Sequence, residues 1–331
     1  MKKFISIIVN NIYKNIRVDV FLYKNIKLFN TRSQCQKFIN NHGIYIKNKY
    51  INSSYKICGN EIFLIDIKKI NYIYTNNYAT AQNISIDIIY EDNDIFVINK
   101  KSNIITHPGV GNKYNTLANA IVYKFNNNIL NNDKYRCGII HRLDKETSGL
   151  IICAKNLLSL IKLKEDFKNR KVYKYYRVFC WGYIPEIYFS LITPHIRHFK
   201  HRKKFTGVDI NNKLYNKIAS SFYYKINNYK NIITQLYVQP ITGRTHQIRV
   251  QLFDIGHPVI GDKIYYNKEP LFKLDKDIYD VIKSLNQHAL HAECISFRHP
   301  ITSKQMTLSA SLPEDLLVLQ KIINKSYKEN N

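Results

Sequence analysis

Apolar residues cluster over residues 5–9 before the chain turns polar at Asn10 and Asn11, which predicts an opening strand rather than the longer apolar run of a cleaved leader. Residues 17–22 lead to Thr31, Arg32 and Ser33, after which Cys35, Phe38 and Ile39 recur at helical spacing towards Gly43. Thr31 or Ser33 stands where it can cap that helix. Residues 44–49 alternate like a strand running into a turn, and Gly59, Asn60 and Glu61 precede another strand at 62–65. From Lys68 to Gln82 amphipathic order is lost, which predicts a small module at 1–75, a linker at 76–85 and a larger domain at 86–325. In the larger domain, β-rich runs fall at 86–90, 95–99, 150–154, 175–180, 232–239 and 295–298, with helical patterns at 117–124 and 156–169. Strands outnumber helices and do not alternate with them, so an α+β domain with a mainly antiparallel mixed sheet is expected.

Composition narrows the partners. Fifty basic against 24 acidic residues leave a formal charge of +26, which points to a polyanion such as nucleic acid. The excess is largely lysine in company with many asparagines, isoleucines and 26 tyrosines, the residue set that A+T-rich codons produce, so charge alone does not decide the function. Six scattered cysteines without a C-x-x-C pair suit a reduced, cytoplasmic protein, and no apolar stretch reaches the ~20 residues of a membrane span.

The densest chemistry lies in Ile140–Leu150, where Asp144 sits in a turn with basic residues on both sides and Thr147-Ser148-Gly149 closes it before an apolar strand. Such flanks favour an ionised carboxylate able to act as nucleophile or base. Glu146 is an alternative working group. Equally, Asp144 can serve only an Asx-turn, bonding Thr147 or Ser148. A second stretch, 195–205, packs Arg197, Lys200, Arg202, Lys203 and Lys204 among histidines and phenylalanines, a composition fit to grip RNA phosphates. A metal on His195, His198 and His201 is disfavoured by the surrounding positive charge and the lack of interleaved carboxylate or thiol.

The segment HRLDKETSGL resembles the catalytic signature of the RluA-type pseudouridine synthases, H-R-L-D-x-x-T-S/T-G, at every defined position. Residues 86–100 with His107-Pro108-Gly109 resemble that family's opening block, and 174–182 the block that supplies an active-site tyrosine. Residues 240–250, extended by 256–262, resemble the block that supplies an arginine; 289–292 and 299–301 continue the likeness. The N-terminal module is similar to the S4 RNA-binding module, with Arg32 and Lys37 as basic groups for a phosphate backbone.

The resemblance implies a pseudouridine synthase fold and an isomerase that needs no cofactor and no metal. It makes Asp144 the catalytic carboxylate, Arg249 its charge partner and Tyr176 the ring that stacks on the uracil and helps remove the C5 proton. His141, Arg142, Thr147, Arg244, His246, Gln247 and Leu290 fall in matched blocks and are expected around the substrate. The S4-like front end and the form of the first block point, within the family, to members acting on large-subunit (23S) ribosomal RNA or a pre-ribosomal particle; a monomer is the default expectation. A ribosome-binding factor with a decayed site, and a glycoside hydrolase using Asp144 with Glu146, are the competing readings. Three positions depart from the family pattern: Lys101 and Asn103 stand where Pro and Gly are usual, predicting a looser turn after Lys100, and Gln251 replaces a common His.

Overall fold

The computed structural model describes residues 4–26, 29, 32–67, 69, 79–109, 111–125, 137–198, 201, 204–207, 217–266 and 270–329. The chain divides into two compact units, Met1–Tyr78 and Ala79–Asn331.

In the first unit, β1 (Phe4–Val9) realises the opening strand and pairs antiparallel with β4 (Glu61–Asp66). Two short helices, α1 (Val18–Asn25) and α2 (Arg32–Phe38), separate β1 from β2 (Ile44–Ile46) and β3 (Lys49–Tyr50). The sheet order is β1-β4-β2-β3. Lys47 and Asn48 both have positive φ (46° and 65°), the turn geometry that keeps the twist of a tight hairpin. Phe21, Leu22, Cys35, Phe38, Phe63 and Ile65 form the core. α2 begins at Arg32, so Ser33 lies inside its first turn rather than at its cap, and Thr31 lies outside the described residues.

Asp19 is buried beneath this unit's surface and accepts from Arg17 (3.0 Å), Arg32 (2.9 Å) and Gln36 (2.5 Å). Burial opposes its charge, but these donors hold the carboxyl below the usual range. Arg32, whose side chain is 46% exposed, thus also clamps Asp19. Lys37, in the last turn of α2, is exposed.

The second unit is a mixed sheet in the order β5-β6-β7-β14-β8-β13-β12-β9, with β15 on β14. Its strands are β5 (Asp87–Glu91), β6 (Ile95–Lys100), β7 (Ser148–Ala154), β8 (Tyr173–Trp181) and β9 (Tyr188–Pro194). A short hairpin of β10 (Ile196–Arg197) and β11 (Phe205–Thr206) precedes β12 (Ile218–Tyr229) and β13 (Ile233–Pro240), and β14 (Leu290–Arg298) and β15 (Gln305–Ser309) complete the set. Every pairing is antiparallel except β7 with β14. Helices α3 (Leu117–Lys124) and α4 (Leu157–Lys168) start at the Thr116 and Asn156 caps. Further on come α5 (Gln247–Asp254), α6 (Lys276–Ser284) and α7 (Glu314–Glu329). Among the described residues no helix is long and apolar enough to cross a membrane.

Part of the expected linker belongs to this unit. Ala79 is buried in its core, Asn119 donates to the Thr80 carbonyl (2.7 Å), and Gln82 accepts from the Asn115 amide (2.7 Å). Polar composition suggested a linker, but Thr80 and Gln82 are bonded to the residues at the start of α3.

The parallel join of β7 and β14 requires a residue without a side chain. Gly149 (φ 113°) faces Ala292 so closely that a Cβ would stand 2.3 Å from its carbonyl oxygen. Gly149→Ala is expected to destabilise the unit by at least about 2 kcal/mol through strain and forced separation of the strands, read as a lowered midpoint in denaturant titration.

Candidate active site

β7 starts immediately after the loop 141–147, and that loop is pinned along its length. Leu143 carbonyl accepts from Thr106 Oγ1 (3.0 Å), and the Thr147 amide donates to the Asp144 carbonyl (3.2 Å). Thr147 Oγ1 lies 2.7 Å from His288 Nε2, whose Nδ1 faces Glu146 at 3.5 Å. His141 Nε2 accepts from the Ile152 amide (3.1 Å) while its ring stacks on Phe167, and burial pushes its pKa down to about 3, so it stays neutral.

Lys100, at the end of β6, is buried and donates its three ammonium protons to the carbonyls of Lys101 (2.8 Å), Ile104 (3.0 Å) and Lys145 (3.2 Å). One side chain thus ties the turn after β6 to the Asp144 loop. Asn103 in that turn has φ 64°, a left-handed conformation that asparagine tolerates better than most residues, and its amide reaches the Asn286 carbonyl (3.4 Å). The turn that sequence reasoning expected to be loose is clamped twice.

Asp144 is the group these tethers present. Its Oδ2 accepts from Arg249 Nη1 at 2.9 Å, and no Asx-turn bond forms, since Thr147 meets its backbone carbonyl instead. Glu146 turns to His288, away from the lining of the cleft. Burial works against the Asp144 charge, yet the Arg249 guanidinium beside it and the hydrogen bond it donates hold the carboxyl below the ordinary range.

Arg249 lies on α5, which follows β13 through the turn 241–246. Its Nε and Nη2 grip both oxygens of Asp262 (2.6 and 2.8 Å), leaving Nη1 for Asp144. Asp262 also accepts from the amides of Ile264 (2.9 Å) and Tyr265 (3.0 Å), and the Tyr265 ring lies 5.2 Å from the guanidinium. Two carboxylates around one buried cation give it a fixed orientation. Asp262 stood in the matched sequence as part of a Gly-Asp pair, but nothing in its spacing showed that it holds Arg249.

A cleft of about 500 Å³ opens over this pair, lined by Leu143, Asp144, Tyr176, Arg249 and Leu290 together with His141, Arg142, Thr147, Arg244 and His246. Tyr176, on β8, is buried. Burial first, then the Asp144 charge, pushes its phenol well up, so it keeps its proton at neutral pH. Leu290 opens β14, one strand over, where Ala292 pairs with Tyr176. Gln247 borders the cleft too, but its amide is fully used. It accepts from Thr242 Oγ1 and the Arg244 amide and donates to the Ser220 carbonyl and Ser221 Oγ, so its amide shapes the turn beside the cleft. Gln251 is buried among Ser221, Tyr223 and the β9 and β12 backbone, a packing position.

The cleft's basic rim was only partly legible. Lys164, Lys168 and Arg170, at and beyond the end of α4, join Arg142 and Arg244. Lys174, two residues before Tyr176 on the same face of β8, also lines it. Its ammonium lies 5.7 Å from the Phe167 ring, and burial lowers its pKa to about 8. In the 195–205 stretch, Arg197 stacks over Phe205 and Lys204 is half-buried, while Lys200, Arg202 and Lys203 lie outside the described residues.

Asp92, Asp94 and His299 place three possible metal ligands within 4.8 Å of one another. Asp92, however, already accepts from the Asp94 and Ile95 amides, the Tyr90 hydroxyl and His299, and Asn156 binds Asp94, so the cluster reads as a structural cross-link.

Comparison with known proteins agrees with this geometry. The family model for RNA pseudouridylate synthase matches residues 94–253. The chain is similar to ribosomal large subunit pseudouridine synthase D of Blochmanniella floridana, 36% identical over 317 residues, covering 93% of this chain and 95% of the relative. The protein of the same description from Buchnera aphidicola subsp. Schizaphis graminum is 37% identical over 308 residues, 91% of each chain. That from Haemophilus influenzae is 35% identical, covering 76% and 74%. Among solved structures, human RNA pseudouridylate synthase domain containing 4 superposes with a TM-score of 0.55 at 20% identity, over 72% of this chain and 93% of that one. Human RNA pseudouridylate synthase domain containing 1 gives 0.54 at 21% identity, over 70% and 86%. At such identities the two structures speak for the fold alone.

Proposed function

This chain belongs to the RNA pseudouridine synthase family, and from that premise we propose that it isomerises specific uridines of large-subunit (23S) ribosomal RNA, with Asp144 as the working carboxylate. The observation that carries the reading is the 2.9 Å pair of Asp144 and Arg249 in a cleft large enough for an everted pyrimidine. The N1–C1′ bond breaks, the base turns, C5 bonds to C1′, and the C5 proton is given up while N1 gains one. Atoms and electrons balance within the nucleotide, so the reading requires neither cofactor nor metal.

Asp144 attacks the base or the sugar, or takes the 2′-proton; each route needs the ionised form that Arg249 maintains. Tyr176 is a stacking floor for uracil, its hydroxyl placed to help removal of the C5 proton. Leu290 closes the apolar side. Extruding the uridine costs a few kcal/mol, offset by stacking and by phosphate contacts along the rim. The basic stretch 195–205, with Arg197, Lys200, Arg202, Lys203 and Lys204, and the S4-like module at 1–75, with Arg32 and Lys37, are the further groups this reading assigns to RNA. One chain supplies every residue of the site, which favours a monomer. Ribosomal RNA as substrate and six free thiols favour the cytoplasm.

The test is tritium release from C5-labelled, unmodified 23S transcript, with carbodiimide mapping of the products. Release at discrete positions supports the reading; tight binding without release at any position overturns it in favour of an assembly factor.

Lys174 offers a finer check. Burial disfavours its charged form, so the cation is complete below about pH 8 and fades as pH rises through it. Lys174→Gln is expected to weaken RNA binding about tenfold and reduce the salt slope by about one. Wild-type affinity should fall above pH 8 while that of the variant does not, as read by filter binding.

A further inference from the structure

His246 leads into α5 from a left-handed backbone (φ 57°), with its ring edge-on to both Phe205 and Tyr265. Tyr265 is buried, and its hydroxyl oxygen has two polar neighbours, the Phe205 amide nitrogen at 2.7 Å and His246 Nδ1 at 3.0 Å. Counting protons fixes the state of both side chains. An amide only donates, so the phenol oxygen accepts from Phe205. The phenol's own proton then has, among the described residues, one acceptor within reach, His246 Nδ1. A nitrogen that accepts carries no proton, so the neutral imidazole must hold its proton on Nε2. That nitrogen faces the reacting carboxylate, 3.9 Å from Asp144 Oδ2.

We propose that Tyr265 is a positioning residue that locks His246 as the neutral Nε2–H tautomer, so that a hydrogen-bond donor is presented beside Asp144 to a carbonyl oxygen of the everted uracil. What that donor meets rests on the isomerase reading above; the tautomer itself does not. The separation from Asp144 is too long for a direct hydrogen bond and leaves the N–H free for a ligand atom entering between them.

The charged and titratable groups that face His246 are Asp144 on the catalytic loop, Arg249 on its own helix, Asp262 beyond that helix, and His288 before β14. Burial, with the Arg249 and His288 charges, outweighs the two carboxylates and brings the imidazole down to about 4. A neutral donor leaves Arg249 as the permanent cation on Asp144. An imidazolium there would add a second positive charge and blunt the carboxylate as a nucleophile.

The arrangement also couples the basic hairpin to the site. Phe205 is the first residue of β11; its ring stacks on His195 (5.0 Å) and carries the Arg197 guanidinium at 5.4 Å. The amide that sets the Tyr265 hydroxyl therefore belongs to the segment that grips RNA, and displacing the hairpin frees the tautomer.

The experiment is ¹⁵N NMR of the full-length protein labelled at its 11 histidines, with the His246 signals assigned through His246→Gln, alongside steady-state kinetics on the RNA substrate. Wild type is expected to show a single Nε2–H tautomer, and Tyr265→Phe a mixture. Tyr265→Phe should lower kcat by roughly 10–100-fold with little change in KM. It should also move the acid side of the kcat profile upward, because the phenol proton no longer opposes protonation of Nδ1, while burial still holds the imidazole below its ordinary pKa. In a His246→Gln background, whose amide N–H has no tautomer to lose, adding Tyr265→Phe should change kcat no further. A wild-type Nδ1–H tautomer or a mixture overturns the proposal, as does an unaltered pH profile in Tyr265→Phe. A pure packing role would lower the melting temperature and leave both readouts unmoved. Failure to release tritium, with the tautomer as stated, would count against the isomerase reading and leave the Tyr265–His246 lock standing.

Discussion

Asp144→Asn is expected to fold, to bind ribosomal RNA with nearly unchanged affinity, and to lose turnover by roughly 10⁴-fold or more. An amide of the same shape keeps an oxygen for Arg249 Nη1, and the guanidinium retains both bonds to Asp262, so neither the helix nor the cleft should shift. What disappears is the electron pair of an ionised carboxylate. Single-turnover tritium release measures the loss, and filter binding on the same RNA separates it from affinity. Appreciable turnover by this variant would remove Asp144 from the chemistry. The same electrostatics set the acid limit of the wild-type enzyme. Because the folded pKa is depressed below the ordinary carboxylate value, charge and pairing energy are present above that value and fade only as pH falls through the lower, folded one. Wild-type turnover should show no acid limb from this group at pH 5.

The second large effect falls on stability. Asp262→Ala strips Arg249 of two bonds and leaves the Ile264 and Tyr265 amides unpaired, in a place where the Asp262 side chain has no exposure at all. Removing one partner of a buried ion pair costs about 3–5 kcal/mol, which for a unit of this size lowers the melting temperature on the order of 10 °C. Activity should fall as well, because Arg249 then has only the Asp144 contact to hold its plane. Calorimetry of the two variants side by side is the check: Asp144→Asn is catalytically dead and stable, Asp262→Ala dead and unstable. An unchanged melting temperature in Asp262→Ala would mean that the buried pair contributes nothing to the fold.

Local signals were read well where the cause is local. Helical patterns at 117–124 and 156–169 announced α3 and α4, and β-branched runs announced β6, β7 and β13. Strand β12 escaped because its aromatic and polar residues serve two faces of a wide sheet and its register shifts between Lys225 and Asn227. Helix α5 escaped because it is buried nearly all round, with Gln247, Arg249 and Gln251 satisfied inside the protein, so no polar face marks it. The Asn at position 103 looked like a weakened turn, yet its left-handed backbone and the three carbonyl bonds of Lys100 make the turn firm.

The linear order of residues was enough to single out the HRLD loop, the family blocks with their Asp, Tyr and Arg, the excess of positive charge and the antiparallel character of the sheet, because each is carried by neighbours in sequence or by a net count. Only the folded chain gave the two neighbouring carboxylates different surroundings. It turned Asp144 to Arg249 and Glu146 to His288, and it set Asp262 behind the guanidinium and Tyr265 behind His246. Those choices depend on groups up to 142 positions apart (Glu146 and His288) sharing a few ångströms of dry space, where the partner within reach, rather than the residue type, fixes charge, tautomer and direction.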